Sequence, residues 1–453
     1  MIIKDNVFRS YDIRGIYNDG IDGDFAYLLG LTFGNIIKNQ NKNKTIVGHD
    51  NRSSSPLLHE KLIKGLIDSG INVINIGLVT TPMYYFSWKL FNIDSGIMIT
   101  ASHNPKEYNG FKISLNGIHN AYGKQIQEIK EEMKKEQSTS KNKGIIYNKN
   151  INNDYINFIT KDIKLNKKIK VVIDSGNGTS SVIVNDIFRK LNTEYIPIFT
   201  DSNPEFPNHH PDPSVPNNLK HLSQKVIQTK ADVGFAFDGD ADRIGMVDQN
   251  GNVIPVDHIM IIIIRNVINN LKDKRILYDV KCSKSLKDEI IKLGGIPIEN
   301  RTGNSYQRAK IYEENILFGG ELSGHIFFND KFPGYDDGIY VSLRLIEIIS
   351  NTNMKTSDLL NGINKYYSTP EIKVATNEIR KFEIVEEIKK YCIQKQYQYL
   401  DIDGCKAIFD DGFALVRASN TGPDLTLRFE AKTEQRLNDI KNEFESKIKE
   451  MLN

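Results

Sequence analysis

The strongest constraint on the fold is a repeated alternation of short apolar runs with longer amphipathic stretches, joined by loops rich in glycine and proline. Thr45-Ile-Val-Gly48 leads into the polar stretch His49–Ser55, Leu57–Ser69 has helical spacing, and Ile71–Ile76 is apolar and alternating. Pro82–Phe91 is helical in pattern and Ser95–Thr100 is again an apolar run. Runs of this length read as strands and the longer periodic stretches as helices. Strand, helix, strand in succession predicts βαβ units and a largely parallel sheet.

The pattern restarts twice. Lys168–Asp174 and Ala231–Phe237 read as strands, with five prolines in 203–216 forcing an irregular loop between them. Arg275–Val280 is a strand, and Ser285–Leu293 and Gly338–Ser350 are helices. Asp257–Leu271 is rich in isoleucine, but its length and a candidate N-cap at Asp257 favour a buried helix. From about residue 370 the character changes to alternating strands, glycine turns and a long charged helix, Glu434–Leu452, which suggests a smaller α+β unit. Residues 134–150 are polar and rich in lysine and asparagine, and read as a loop or linker.

Length and charge exclude several classes. The chain has 453 residues, enough for about three domains. Lys+Arg is 59 and Asp+Glu is 57, a net +2, which makes no electrostatic case for nucleic acid or an anionic membrane. Cys282, Cys392 and Cys405 are too few and wrongly spaced for a disulfide framework or a zinc site. The most apolar segment, Ile259–Ile264, is far shorter than a bilayer span. With no secretory-type start, a soluble cytoplasmic protein is expected.

Four loops carry the chemistry. Thr100-Ala-Ser-His-Asn-Pro105 puts Ser102 and His103 on a loop after a strand, where α/β proteins place reactive groups. A hydrolase using a Ser102–His103 dyad is disfavoured, because neighbours in an extended chain point to opposite faces. Phe237-Asp-Gly-Asp-Ala-Asp-Arg243 alternates Asp238, Asp240 and Asp242 between two strands. Crowded carboxylates need a cation, and an oxygen-only donor set suits Mg²⁺ or Ca²⁺. The spacing is not that of an EF-hand, since position six is Arg243 and position twelve is Gln249. Gly319-Gly-Glu-Leu-Ser-Gly-His325 alternates Glu321, Ser323 and His325, groups of the kind that hold sugar hydroxyls. Arg417-Ala-Ser-Asn-Thr-Gly422 combines a guanidinium with small polar residues, a combination suited to an anion. Arg14 and Lys112 are further basic groups that gain meaning only in this combination.

In order and spacing these four loops resemble the signature loops of the α-D-phosphohexomutases, and the likeness runs from Phe8 to the C-terminal helix. Within the family the forms Gly-Glu-x-Ser-Gly-His and Arg-Ala-Ser-Asn-Thr are most similar to those of the phosphomannomutase/phosphoglucomutase enzymes. The resemblance implies an α/β protein of four domains around a central cleft: three related α/β domains with mixed sheets and a smaller α+β domain. The expected segments are 1–152, 153–254, 255–366 and 367–453. It also implies an isomerase that interconverts hexose 1-phosphate and hexose 6-phosphate of mannose, glucose or both, through a phosphoserine and a hexose 1,6-bisphosphate. Phosphoglucosamine mutase is the alternative, and a non-catalytic phosphosugar-binding protein a more distant one.

By the same resemblance Ser102 carries the phosphate, and Asp238, Asp240, Asp242 and a phosphoserine oxygen hold Mg²⁺. Lys112 and Arg14 stabilise charge, His103 supports the phosphate, and His325 or Lys112 serves as base. Glu321 and Ser323 grip sugar hydroxyls, and Arg417, Ser419, Asn420 and Thr421 clamp the non-reacting phosphate. Tyr11, Arg243, Lys281, Asn304 and His325 match further cleft positions. Asn304 is a departure: close relatives often have histidine in that Thr-Gly-x-Ser motif, and asparagine cannot become a cation.

Overall fold

The structure, a computed structural model, describes residues 3–191, 193–419 and 422–452. The chain divides into two compact units, residues 1–256 with 323–359 and residues 257–322 with 360–453.

The first unit contains two mixed sheets. One has seven strands in the order Gly20–Ile21, Ile13–Tyr17, Tyr108–Ser114, Gly96–Ile99, Lys44–His49, Asn72–Leu78, Ile146–Asn148. Its centre is parallel, as the βαβ pattern predicts, while Tyr108–Ser114 runs antiparallel to both of its neighbours. Helix Gly23–Asn39 covers one face. Asp22 caps it by accepting from the Phe25 N–H at 2.8 Å, and Phe25, Leu29, Phe33 and Ile37, four apart, enter the core. The second sheet runs Val253–Ile254, Ile244–Asp248, Val233–Phe237, Ile169–Asp174, Thr193–Ile198. Helix Gly338–Ser350 belongs to this unit; Asp337 caps it, accepting from Tyr340 N–H at 2.9 Å and from the Tyr155 hydroxyl at 2.7 Å.

In the second unit, strands Ile296–Asn300, Arg275–Asp279 and Phe318–Gly320 pair in that order, all parallel. A separate sheet runs Tyr367–Ser368, Asp424–Ala431, Gly412–Ala418, Cys405–Phe409, Gln398–Leu400, with Ile372–Ala375 also on Asp424–Ala431. Its pairings are antiparallel. Helices Arg380–Gln394 and Glu434–Leu452 pack on it through rows spaced by four: Ile384, Ile388 and Cys392, then Ile440, Phe444 and Ile448.

Two sequence expectations about secondary structure need correction. Within 134–150, Ile146–Asn148 is an edge strand parallel to Asn72–Leu78, with Val73 opposite Ile146. All three residues are exposed, so no burial pattern marks them. Asp257 is not an N-cap: it lies inside the first turn of helix Val256–Val267 and accepts from the Ser283 N–H at 2.9 Å. That helix gives way to a 3₁₀ turn at Ile268–Asn270. No described helix is long and apolar enough to cross a membrane.

Candidate active site

The buried strand Gly96–Ile99 delivers Thr100 and then Ser102. Ser102 is left-handed, φ 49°, a conformation that costs a non-glycine residue about 1–2 kcal/mol. Thr100 Oγ1 accepts from the Ser102 N–H at 2.9 Å, and Asn104 N–H closes a turn on Ala101 O at 2.9 Å. Ser102 Oγ donates to Asp238 Oδ2 at 2.7 Å, and His103 Nδ1 lies 3.1 Å from Ser102 Oγ. The expectation that His103 faces away from Ser102 is therefore wrong: it assumed extended backbone, and the positive φ turns the two side chains together. Burial, then the charges of Arg243 and Arg14, holds the His103 imidazole well below its ordinary range.

Strands Val233–Phe237 and Ile244–Asp248 form an antiparallel pair closed at Phe237 and Ile244, and the loop between them carries the aspartates. Asp238, Asp240 and Asp242 are fully buried, and an oxygen of each lies within 4.8 Å of the others. Gly239 lets this loop press on the serine turn, because a Cβ there would collide with the Ser102 carbonyl oxygen. Lys112, on strand Tyr108–Ser114, reaches Asp240 Oδ2 at 2.8 Å and Asp242 Oδ2 at 2.5 Å. The Thr81 and Thr100 hydroxyls also donate to Asp240 Oδ2, at 2.6 and 3.2 Å.

This crowding separates the three acids. Burial, then Asp240 and Asp242, pushes Asp238 well above the carboxylate range. Burial and the Asp240 charge raise Asp242 as well. Burial opposes the Asp240 charge too, but Lys112 and the Thr81 hydroxyl outweigh it and hold that carboxyl low. Lys112 in turn is raised, its burial outweighed by Asp240 and Asp242. Asp240 Oδ1 and Asp242 Oδ1 are buried with no hydrogen-bond partner. An all-oxygen set with orphaned carboxylate oxygens fits a hard divalent cation.

Further groups of the first unit converge here. Arg14 Nη1 donates to Asn104 Oδ1 at 2.6 Å, on the serine turn, and Arg14 Nη2 pairs with Asp12 at 2.5 Å. Arg243 Nε donates to His325 Nε2 at 2.9 Å. That nitrogen is then an acceptor, so the ring proton sits on Nδ1, which lies 2.7 Å from Asp336 Oδ2. Tyr11 and Ser323 are half-buried residues of the same unit.

The other expected residues lie in the second unit. Lys281 Nζ is 2.7 Å from Glu371 Oε1. Burial works against the Glu371 charge, but Lys281 prevails and takes that carboxyl down to about 2. Glu321 Oε1 accepts from the Gly303 N–H at 2.5 Å, just before helix Asn304–Glu313, whose first residue is Asn304. Arg417 Nη2 and Nε lie 2.9 and 3.0 Å from Asp403 Oδ2, which also accepts from Thr302 N–H at 3.0 Å. Asn420 and Thr421 lie outside the described residues.

Several partners escaped sequence reasoning. Lys381 Nζ donates to the carbonyls of Ser419 and Gly422, at 3.0 and 3.1 Å. Lys373 Nζ donates to Thr426 Oγ1 at 2.7 Å and stands 3.5 Å from Ser419 Oγ. Strand register aligns them: Lys373 pairs with Thr426, and Thr426 with Arg417, making one row across three strands. The alternation of Glu371 and Lys373 ahead of the fourth loop was the available signal.

Four family models match in succession: phosphoglucomutase/phosphomannomutase α/β/α domain I over residues 5–140, domain II over 153–251, domain III over 255–366 and the C-terminal domain over 371–447. The chain is 40% identical to a phosphomannomutase/phosphoglucomutase of Pseudomonas syringae pv. tomato, over 99% of this chain and 96% of that protein. It is 38% identical to a phosphoglucomutase of Neisseria meningitidis serogroup A, over 98% of this chain and 97% of that one. A crystal structure of a phosphoglucomutase/phosphomannomutase family protein from Burkholderia thailandensis superimposes with a TM-score of 0.92 at 35% identity, covering 99% of this chain and 98% of that one. With all four domain models matched in order along nearly its whole length, the chain belongs to the phosphoglucomutase/phosphomannomutase family, the α-D-phosphohexomutases.

Proposed function

We propose that this chain is a phosphohexomutase that interconverts hexose 1-phosphate and hexose 6-phosphate, with mannose and glucose phosphates as substrates and a phosphoserine at Ser102. The observation that carries this reading is the Ser102 hydroxyl set 2.7 Å from Asp238, beside two further buried carboxylates and Lys112. Phosphoryl transfer needs positioning and charge stabilisation more than covalent help from the protein. Ser102, once phosphorylated, brings roughly −1.5 to −2 charges to that place.

In the forward half-reaction the bond between Ser102 Oγ and phosphorus breaks and the free sugar hydroxyl forms the new one. The product is a hexose 1,6-bisphosphate; the hydroxyl proton leaves to a base, and the freed Ser102 Oγ gains a proton and ends as a neutral hydroxyl. The candidate bases are Lys112 and His325, the latter once its Nε2, which accepts from Arg243 Nε–H, is released. Lys112 and Arg14 offset the charge that develops on the oxygens. Mg²⁺ held by Asp238, Asp240, Asp242 and a phosphoserine oxygen would polarise the transferring group. The bisphosphate then turns end for end, and its other phosphate returns to Ser102.

Arg417, Ser419, Asn420 and Thr421 hold the phosphate that is not reacting, with Lys373 beside Ser419. The candidate sugar-binding residues are Lys281, Asn304 and Glu321 of the second unit and Tyr11, Arg243 and Ser323 of the first. The four functional segments are 1–152, 153–254, 255–366 and 367–453. Incubation with glucose 1,6-bisphosphate, followed by intact mass and phosphosite mapping, tests the central step. One phosphate on Ser102 is expected, and a phosphate elsewhere, or none, overturns it. Comparing rates on mannose, glucose and glucosamine phosphates then sets the substrate preference.

A further inference from the structure

Arg52 lies outside the groups assigned so far, in the polar stretch that follows strand Lys44–His49. Its side chain is 1% exposed and spends its donors on one turn. Nη2 donates to the carbonyls of Ser102 and Asn104, each at 2.7 Å. Nη1 donates to those of Pro105 and Tyr108, at 2.7 and 3.0 Å. Nε faces Asp50 Oδ2 at 3.2 Å. Asp50 is itself fixed: its Oδ1 accepts from the Ser55 hydroxyl at 2.5 Å and from the Arg52 N–H at 3.1 Å.

A non-glycine residue keeps a left-handed backbone only where its surroundings over-determine it. The Ser102 N–H bond to Thr100 leaves the peptide after Ser102 free to rotate, and the orientation of that peptide is read by its carbonyl. Arg52 grips this carbonyl, and Gly239 of the aspartate loop packs directly against it. We infer that Arg52 is a positioning residue for phosphoryl transfer, whose planar fork locks the turn 102–108 so that Ser102 Oγ keeps its place beside Asp238. The inference rests on the proposed mutase reaction. Lysine carries the same charge but lacks the fork needed to hold four carbonyls at once.

The test compares wild type, Arg52→Lys and Asp50→Asn as full chains, each first checked for its fold by near-UV circular dichroism. For Arg52→Lys we expect kcat to fall about 100-fold, the scale of a small misplacement of reacting atoms, with KM changed less than about twofold. Single-turnover phosphorylation of Ser102 by glucose 1,6-bisphosphate should slow in parallel, and amide exchange across 102–108 should quicken. Asp50→Asn, which keeps the guanidinium but loosens its aim, should show a smaller loss with the same split. A folded Arg52→Lys with wild-type kcat, or with a loss lying in KM, overturns the inference. Failure of both variants to fold also overturns it, since Arg52 would then be a stability residue alone. A wild-type chain that takes no phosphate on Ser102 refutes the functional reading and this inference together. Normal phosphorylation in both wild type and Arg52→Lys refutes only the role of Arg52.

Discussion

Ser102 Oγ donates to Asp238 Oδ2 across 2.7 Å, although 136 positions separate the two residues in the chain. Two loops from two different sheets thus meet at one hydroxyl. Burial and its acidic neighbours Asp240 and Asp242 raise the Asp238 carboxyl. Ser102→Ala should leave the fold intact and lower mutase turnover by more than about 10⁴-fold, the order lost when a covalent nucleophile is removed. Steady-state rates together with intact mass after glucose 1,6-bisphosphate check this, and phosphate uptake by the variant would contradict it.

Asp240 receives three donors on one oxygen and leaves the other bare. Asp240→Asn keeps the shape but removes a charge that Lys112 uses and that the proposed divalent cation would use. The Mg²⁺ concentration for half-maximal activity should rise at least about tenfold. Calorimetric titration of the unphosphorylated protein with Mg²⁺ gives a second readout, and an unchanged isotherm would count against a metal role for this loop.

Arg417 is oriented by Asp403 and belongs to the second unit, away from the serine turn in sequence. Arg417→Ala should raise KM about 10- to 100-fold, the worth of a charge-assisted hydrogen bond or two. The rate at which Ser102 hydrolyses or retains its phosphate in the absence of substrate should not change. A variant that loses kcat alone would move Arg417 from binding to chemistry.

His59 predicts an acid sensitivity unrelated to catalysis. Burial pushes its imidazole from 6.5 down to about 4, the neighbouring His49 adding to the effect. Above 6.5 both folded and unfolded chains hold it neutral, and the stability is fully present. As pH falls from 6.5 towards about 4 the unfolded chain takes up a proton that the folded chain refuses, so stability declines. His59→Gln should flatten the melting-temperature profile across that window, and a profile with the same slope as wild type would assign the effect to another group.

Much of this arrangement is legible in sequence, and the gaps have physical causes. Helix Glu434–Leu452 can be read because it buries one face at a regular spacing, and Gly338–Ser350, buried nearly all round, because its apolar run is long enough for a helix and opens at the Asp337 cap. The alternating aspartates can be read because carboxylates two apart on a tight loop end up together. Strand Ile146–Asn148 cannot, since an exposed edge has no apolar side to show. Nor can the meeting of Ser102 with His103, because nothing in Ala-Ser-His-Asn announces a positive φ without a glycine. Arg52 and Lys373 look like ordinary surface cations until the carbonyls and strands they serve are folded against them.

The row of Lys373, Thr426 and Arg417 exists only because three strands are aligned to the residue. Side chains alternate between faces along a strand, so a slip of Asp424–Ala431 by a single position would turn Thr426 to the opposite face and leave the lysine and the arginine without their common neighbour. An insertion or deletion of one residue ahead of that strand would therefore break up this row while leaving every one of its residues in the chain.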